Sequence, residues 1–342
     1  MVFHAVNCHA IQNTIMGVNI HKVAVLTSGG DSPGMNACIR AVVRSGIHYG
    51  FEMWGVVRGY DGLIKGDFKK MDLRSVSNII NRGGTILKSA RSEEFRTAAG
   101  MEKAYQQLQE RGIDALVVIG GDGSFKGAYY FSEKYDIAVM GLPGTIDNDL
   151  YGTDYTIGYD TATNTVVECI DKIRDTADAH NRLFFIEVMG RDAGYIALNA
   201  GIAAGCEDIL IPETKTSIED LVKNLKKGRA NRKTSGMVIV AEGDEEGGAY
   251  EVARKVKEQF DGYEMKVTVL GHIQRGGSPS CFDRVLASRL GVAAIEGLRN
   301  GESRMMAGLI NNKVVYTPLT QASKMHSEMD DDLFRISKIL SI

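Results

Sequence analysis

Short apolar runs rich in valine and isoleucine, most of them bounded by glycine or polar residues, punctuate the chain: Val23 to Leu26, Trp54 to Val57, Leu116 to Ile119, Ile137 to Met140, Leu183 to Val188, Met237 to Val240 and Val267 to Leu270. Runs of this length without alternation suit strands buried on both faces. Helical spacing lies between them. In residues 33–49, Met35, Ile39, Val42, Val43 and Ile47 approximate a 3.6-residue stripe, with Pro33 near the first turn. Because strand and helix alternate, the pattern predicts an α/β protein with two doubly wound domains and mainly parallel sheets. Ligands of such sheets settle beyond the carboxyl ends of the strands, where strand order reverses, so the strand-end loops are where chemistry is expected.

Those loops are dense in glycine: TSGGDSPG at 27–34, GGDGS at 120–124, PGTIDND at 143–149, MGRDAG at 189–194 and GHIQRGG at 271–277. The first runs from strand through glycine turn into helix, so Gly29 and Gly30 bring backbone amides toward a phosphate at a positive helix end. Neither a Walker lysine nor a GxGxxG fingerprint is present. In the second, Asp122 stands before Gly123 and Ser124, a carboxylate beside phosphate-binding amides, as a magnesium ion held through water requires. GGDGS also resembles a motif of NAD and lipid kinases.

The third loop sets Asp147 and Asp149 two residues apart, with Thr145 just before. In an extended chain this spacing turns both carboxylates to one side, one to take a proton from an attacking hydroxyl and the other to hold metal or water. A solvated acidic turn is the bland alternative. The last two loops aim Arg191, His272 and Arg275 from strand ends, a way of meeting an anionic substrate.

At 342 residues the chain has room for two cores, with a boundary expected in the polar run near residues 150–160. Forty basic against 43 acidic residues, net charge -3, leave no polybasic field for nucleic acid or a membrane surface. Five scattered cysteines (Cys8, Cys38, Cys169, Cys206, Cys281) lack CxxC spacing and read as reduced thiols. No apolar run reaches the roughly 18–20 residues that span a bilayer, and the start lacks a secretory pattern, so a cytoplasmic location is expected. Residues 1–21, with His4, His9, His21 and a second possible start at Met16, read as an extension without metal chemistry.

Taken together, TSGGDSPGMN, NRGGT, SAR, VVIGGDGS, GLPGTIDND, TDYTIG, EVMGR and LGHIQRGGSP resemble the bacterial ATP-dependent 6-phosphofructokinases over about residues 22–320. The resemblance implies a magnesium-dependent homotetramer that transfers the γ-phosphoryl group of ATP to the 1-hydroxyl of fructose 6-phosphate, giving fructose 1,6-bisphosphate and ADP in glycolysis. Residues 22–157 and 274–324 would form the ATP-binding domain, and 158–273 with 325–342 the sugar-phosphate domain. By match of position, Asp147 would be the base and Asp122 the magnesium ligand, with Thr145 and Asp149 beside them. Arg91 and Arg191 would stabilise the transferring phosphates. Gly30, Arg91, Ser92, Gly121, Asp122, Gly123 and Ser124 would line ATP. Thr145, Asp147, Met189, Gly190, Arg191, Glu242, His272 and Arg275 would meet the sugar phosphate, joined by Arg182 and Lys266 of a neighbouring subunit.

Lys266 stands where the family usually has arginine, which keeps charge and loses the bidentate fork. Ser92 replaces a residue that often lies against the nucleotide. Arg40, Arg44, Arg174, Glu207 and Lys233 match an effector site for ADP or phosphoenolpyruvate. Leu73, Asn231 and Thr234 depart from it, although Arg74, Arg229 and Arg232 lie nearby in sequence. Relatives that use pyrophosphate carry aspartate at position 123 and lysine at 144, side chains expected to fill the space of the α-phosphate. Glycine at both favours ATP. The alternatives are a pyrophosphate-dependent enzyme, an NAD or lipid kinase, which leaves PGTIDND and GHIQRGG without a task, and a noncatalytic nucleotide-binding subunit, which would be expected to have lost Asp122, Asp147 or Arg191.

Overall fold

The computed structural model describes residues 20–135, 137–323, 329 and 331–340; most of the expected 1–21 extension, and Cys8 with it, lies outside them. In chain order the elements are β1 (Lys22–Thr27), α1 (Met35–His48), β2 (Glu52–Val56), α2 (Gly59–Lys65), β3 (Phe68–Met71), α3 (Ala98–Arg111), β4 (Ala115–Gly120), α4 (Asp122–Tyr135), β5 (Ala138–Pro143), α5 (Tyr159–His180), β6 (Arg182–Val188), α6 (Tyr195–Ala203), β7 (Asp208–Leu210), α7 (Ile218–Ala230), β8 (Gly236–Ala241), α8 (Ala249–Gln259), β9 (Glu264–Val269), α9 (Cys281–Arg299), β10 (Met305–Ile310), β11 (Lys313–Pro318), α10 (Leu319–Ala322) and α11 (Asp331–Leu340). Short 3-10 turns occupy Glu94–Arg96 and Gly271–Arg275.

The strands form two sheets, ordered β11-β10-β5-β4-β1-β2-β3 and β7-β8-β6-β9. The four-stranded sheet is parallel throughout. The larger is parallel in its middle, where β1 lies between β2 and β4, and carries an antiparallel strand at each edge. Apolar side chains pack on both faces of each sheet. Val23, Val25, Val117 and Ile119 enter one core with α1 and α9, while Ala24, Leu26, Leu116 and Val118 enter another with Phe125 and Phe131 of α4. The Val/Ile runs are therefore apolar at every position because every position is buried.

β9 departs from that reading. It runs from Glu264 to Val269 rather than from 267 to 270, and its side chains are half-buried or exposed. As the edge strand of its sheet it has one flank and part of its faces open. Close approach of α1 to α9 depends on Gly291, where a Cβ would lie 2.6 Å from Ala41 Cβ and 3.1 Å from the Cys38 carbonyl. Cys38 and Cys206 are buried and free, and burial pushes the Cys206 thiol up to about 12, so neither is a nucleophile. Among the described residues no helix is long and apolar enough to cross a membrane.

Candidate active site

Strand order in the larger sheet reverses between β1 and β4, since the chain moves outward from β1 through β2 to one edge and from β4 through β5 to the other. The loops after β1 and β4 consequently lie side by side. Ser28 N donates to the Ile119 carbonyl at 2.9 Å. Gly29 turns with φ +86°, and a Cβ there would lie 3.6 Å from Ser124 Oγ. Gly120 admits no side chain, because its Cβ would be 2.6 Å from both Ser124 Oγ and the Ser28 carbonyl. Asp122 opens α4, with Gly123 and Ser124 in its first turn. The segment around residue 89 is tied beneath the first loop: Thr27 Oγ1 donates to the Lys88 carbonyl at 2.8 Å, and Ser89 Oγ donates to the Gly29 carbonyl. Arg91 follows, exposed to solvent. Ser92 Oγ accepts from Phe95 N at 3.3 Å, so this hydroxyl is already engaged in holding the Glu94–Arg96 turn.

The loop after β5 joins the same place. Gly144 N donates to the Gly120 carbonyl at 3.0 Å, and Thr145 Cβ lies 3.6 Å from where a Gly121 Cβ would be. Two expectations need correction. The chain between Asp147 and Asp149 is not extended: Asn148 is left-handed at φ +56°, so spacing alone does not turn the two carboxylates to one side. Asn148 is held there by its side chain, whose Oδ1 accepts from Thr156 N at 2.8 Å and whose Nδ2 donates to the Asp154 carbonyl at 3.2 Å. Gly144 also faces the core. Its Cβ would lie 2.8 Å from Ile119 Cγ2 and 3.3 Å from Met35 Cε, so a side chain there must displace core neighbours. An added Cβ at Gly123 meets nothing within 4 Å, and the space argument for the phosphoryl donor rests on that position.

Asp147 is the most perturbed group in these loops. Burial pushes its carboxyl above the ordinary carboxylate range; Arg275, the Thr145 hydroxyl and Arg191 pull it down, and Glu242 pushes it up. Its Oδ1 is buried with no hydrogen-bond partner, as is Oδ1 of Asp122.

The second sheet delivers the remaining loops. β6 is flanked by β8 and β9, so the turns after these three strands are neighbours. Gly190 turns at φ +150° and Arg191 at φ +58°. Glu242 Oε1 accepts from Arg191 N at 2.7 Å and from Gly190 N at 3.3 Å, which makes it the brace of the Met189–Gly190–Arg191 turn. His272 is exposed on the 3-10 turn. Arg275 reaches across to the first sheet, where Nη1 donates to the Asp31 carbonyl at 3.2 Å and sits 2.6 Å from where a Gly30 Cβ would be.

Arg182 and Lys266 do not join these loops. Arg182 begins β6 and Met189 follows its end, roughly 20 Å away at about 3.3 Å per residue. Both cations instead pair with Glu264, Arg182 at 2.9 Å and Lys266 at 2.7 Å. The effector candidates also separate. Arg40 and Arg44 line a groove of about 310 Å³ between α1 and α9, while Glu207 and Lys233 line another cavity of about 370 Å³ with Lys227, Asn231 and Lys338. Arg174 Nη2 donates to the Ala204 carbonyl. Neither cavity touches Asp122 or Asp147.

Some positioning residues went unread in the sequence. Gln274 is fully buried, accepts from Met189 N at 3.2 Å and donates to the Gly271 carbonyl at 3.0 Å. Asp283, also fully buried, accepts from Gly158 N and Thr161 N, each at 2.8 Å; burial raises its carboxyl to about 6. It joins the start of α9 to the start of α5. The Ser280-x-x-Asp283 spacing, with Ser280 Oγ accepting from Asp283 N at 3.1 Å, is a helix-start signal legible in sequence.

Magnesium fits this donor set. Among the described residues no cluster of three metal-ligating side chains exists, so an all-protein cage is absent. One carboxylate with a buried, unpartnered oxygen beside open backbone is instead what a magnesium ion takes when water and phosphate oxygens supply its other ligands.

Residues 22–298 match the family model described as Phosphofructokinase. The chain is 56% identical over 320 residues to an ATP-dependent 6-phosphofructokinase of Cytophaga hutchinsonii, covering 94% of this chain and 98% of that one. It is 52% identical over 321 residues to ATP-dependent 6-phosphofructokinase 1 of Thermus thermophilus, covering 94% and 99%. Among solved structures, a chain of Saccharomyces cerevisiae phosphofructokinase superposes with TM-score 0.84 at 39% identity, covering 89% of this chain, which spans under half (45%) of the yeast chain. A pyrophosphate-dependent phosphofructokinase of Marinobacter aquaeolei shares the fold with TM-score 0.81 at 23% identity over 92% and 86%. The chain belongs to the phosphofructokinase family.

Proposed function

We propose that this chain is an ATP-dependent 6-phosphofructokinase, transferring the γ-phosphoryl group of ATP to the 1-hydroxyl of fructose 6-phosphate. The observation that carries this reading is the pair of buried, unpartnered carboxylate oxygens on Asp122 and Asp147, set on loops that Gly144 N and the Gly120 carbonyl join at 3.0 Å. Such orphaned acceptors are costly unless a ligand supplies their partners. The 56% identity to the Cytophaga enzyme, over 94% of this chain and 98% of that one, supports the same reading.

In this arrangement Asp147 accepts the proton of the attacking hydroxyl. Burial raises its pKa above the ordinary carboxylate range, which makes a carboxylate a stronger base, while Arg275 and Arg191 pull it partly back down. Asp122 would hold magnesium, which when bound would neutralise charge on the phosphate tail. Gly29, Gly30, Gly121, Gly123 and Ser124 would give the tail close access to backbone amides, and the exposed Arg91 would meet the transferring phosphates. Arg91 and Arg191 would supply positive charge where negative charge develops on the transferring phosphate, and Arg275 would meet the sugar phosphate. Glu242 acts mainly through the turn that it braces. Thr145, whose hydroxyl accepts from Asp147 N at 3.2 Å, and Asp149 complete the loop.

Residues 22–157 with 274–324 would bind ATP, and 158–273 with 325–342 the sugar phosphate; positions 136, 324–328, 330, 341 and 342 lie outside the described residues. Arg182 and Lys266 would serve a neighbouring subunit's sugar phosphate in a homotetramer. Arg40, Arg44, Arg174, Glu207 and Lys233 would meet in one effector site for ADP or phosphoenolpyruvate only through a subunit contact. A glycolytic enzyme of this kind would act in the cytoplasm. A coupled assay with fructose 6-phosphate and either ATP or pyrophosphate, with and without magnesium, tests the reading. Turnover that requires magnesium and ATP is expected; turnover with pyrophosphate alone would overturn the donor assignment.

A further inference from the structure

Lys126 is absorbed by none of these roles, yet it pairs with the carboxylate proposed to hold the metal. One turn along α4 from Asp122, its Nζ donates to Asp122 Oδ2 at 2.8 Å, with the lysine side chain 48% and the aspartate 26% exposed. Asp122 thus has two unlike oxygens. Oδ2 is held by an ammonium, and Oδ1 is buried without a partner. An ordinary i,i+4 pair on a solvated helix face contributes about 0.3–0.5 kcal/mol and concerns stability alone. This one differs because its acid is the only carboxylate of the GGDGS turn and opens a helix whose first turn sets the Ser124 hydroxyl against the β1 loop, 3.6 Å from where a Gly29 Cβ would be.

We propose that Lys126 competes with the divalent cation for Asp122 and sets how far the site prefers metal-loaded over metal-free triphosphate. The proposal rests on the ATP-dependent reading above. Two effects act in the same direction. A metal ion approaching Asp122 meets an ammonium already paired with it, which disfavours the metal-loaded nucleotide. A metal-free triphosphate carries more negative charge, and the same ammonium is free to turn from the carboxylate to a phosphate oxygen, which favours that form. Lys126 therefore narrows the gap between the two forms.

The measurement is equilibrium binding of ATP to full-length protein without sugar phosphate, by calorimetry, once with excess magnesium and once with chelator. The readout is the ratio of the metal-free to the metal-loaded Kd. Lys126→Met keeps length and helix propensity and removes the charge; the ratio is expected to rise about tenfold relative to wild type. Lys126→Arg keeps the charge and should leave the ratio near wild type. Lys134→Met, on the same helix and away from Asp122, controls for net charge. A ratio that is unchanged or lower in Lys126→Met overturns the proposal, as does an equal rise in Lys134→Met. If Lys126→Met unfolds, Lys126→Gln provides the same comparison. Wild-type turnover of ATP with fructose 6-phosphate is measured on the same preparation. Its absence would sink the functional reading, whereas intact turnover with an unmoved ratio sinks this proposal alone.

Discussion

The Arg275 guanidinium lies directly over Gly30, with Nη1 2.6 Å from the position a Cβ would take there and donating to the Asp31 carbonyl at 3.2 Å. An arginine expected to serve the sugar phosphate thus rests on a loop expected to serve ATP, and joins the two sheets across the site. Gly30→Ala must displace a flexible guanidinium rather than backbone, so the fold should survive. The expected result is an unchanged urea midpoint with a roughly tenfold rise in the KM for fructose 6-phosphate. In an Arg275→Ala background, Gly30→Ala should add little. Full additivity of the two changes would show that they act apart.

Asp147 ties a catalytic prediction to a stability prediction of opposite sign. If it is the base, Asp147→Asn lowers turnover by about a hundred- to ten-thousandfold with little change in fructose 6-phosphate binding. Its folded pKa is raised by burial. A carboxyl shifted in that direction contributes stability below its unfolded pKa, and that contribution is lost as pH rises through the folded value. Above the folded pKa the wild type therefore carries a buried charge that the variant lacks. Asp147→Asn should melt higher than wild type at pH 8, and the gap should shrink toward pH 4. A variant less stable at pH 8 would contradict the burial argument.

How much of this was legible in the sequence depends on what each element has to bury. β1, β4 and β8 were readable because both faces are covered, so their inner positions are apolar throughout. β3 is FKKM and β7 has three residues, too polar or too short to stand out. The β10–β11 hairpin lay beyond the runs considered, although Asn311 and Asn312, both left-handed, are typical residues for its tight turn. The site loops announced themselves through glycine. What the pattern could not give was direction. Spacing placed Asp147 and Asp149 near each other, but Asn148, fixed by Thr156 and Asp154, decides how the chain turns between them. Gly144 entered the donor argument through the lysine that pyrophosphate-using relatives carry there, whereas a Cβ at this position would meet Ile119.

The contrast between Gly123 and Gly144 makes the donor argument testable. A Cβ at 123 meets open space, so Gly123→Asp should fold normally and weaken ATP binding at least tenfold by placing a carboxylate among the phosphates. Gly144→Lys drives a side chain into Ile119 and Met35 and should lose about 1–3 kcal/mol in urea denaturation. If both fold equally well, the core-facing direction of position 144 is wrong.

Arg182 and Asp147 cannot act on the same substrate within one chain, because β6 separates the start that carries Arg182 from the end that feeds the Met189 turn. If the site is completed across a subunit contact, Arg182→Ala and Asp147→Asn damage different halves of it. Each variant alone should be nearly inactive, Arg182→Ala through a large rise in fructose 6-phosphate KM and Asp147→Asn through kcat. Unfolding the two together and refolding the mixture creates contacts in which one site carries both defects and the other carries neither. Random pairing leaves about a quarter of the sites intact, so the mixture should recover about a quarter of wild-type turnover. The refolded single variants should recover none. A mixture no more active than its parts would place Arg182 outside the site altogether, and would leave its pairing with Glu264 at 2.9 Å as its whole function.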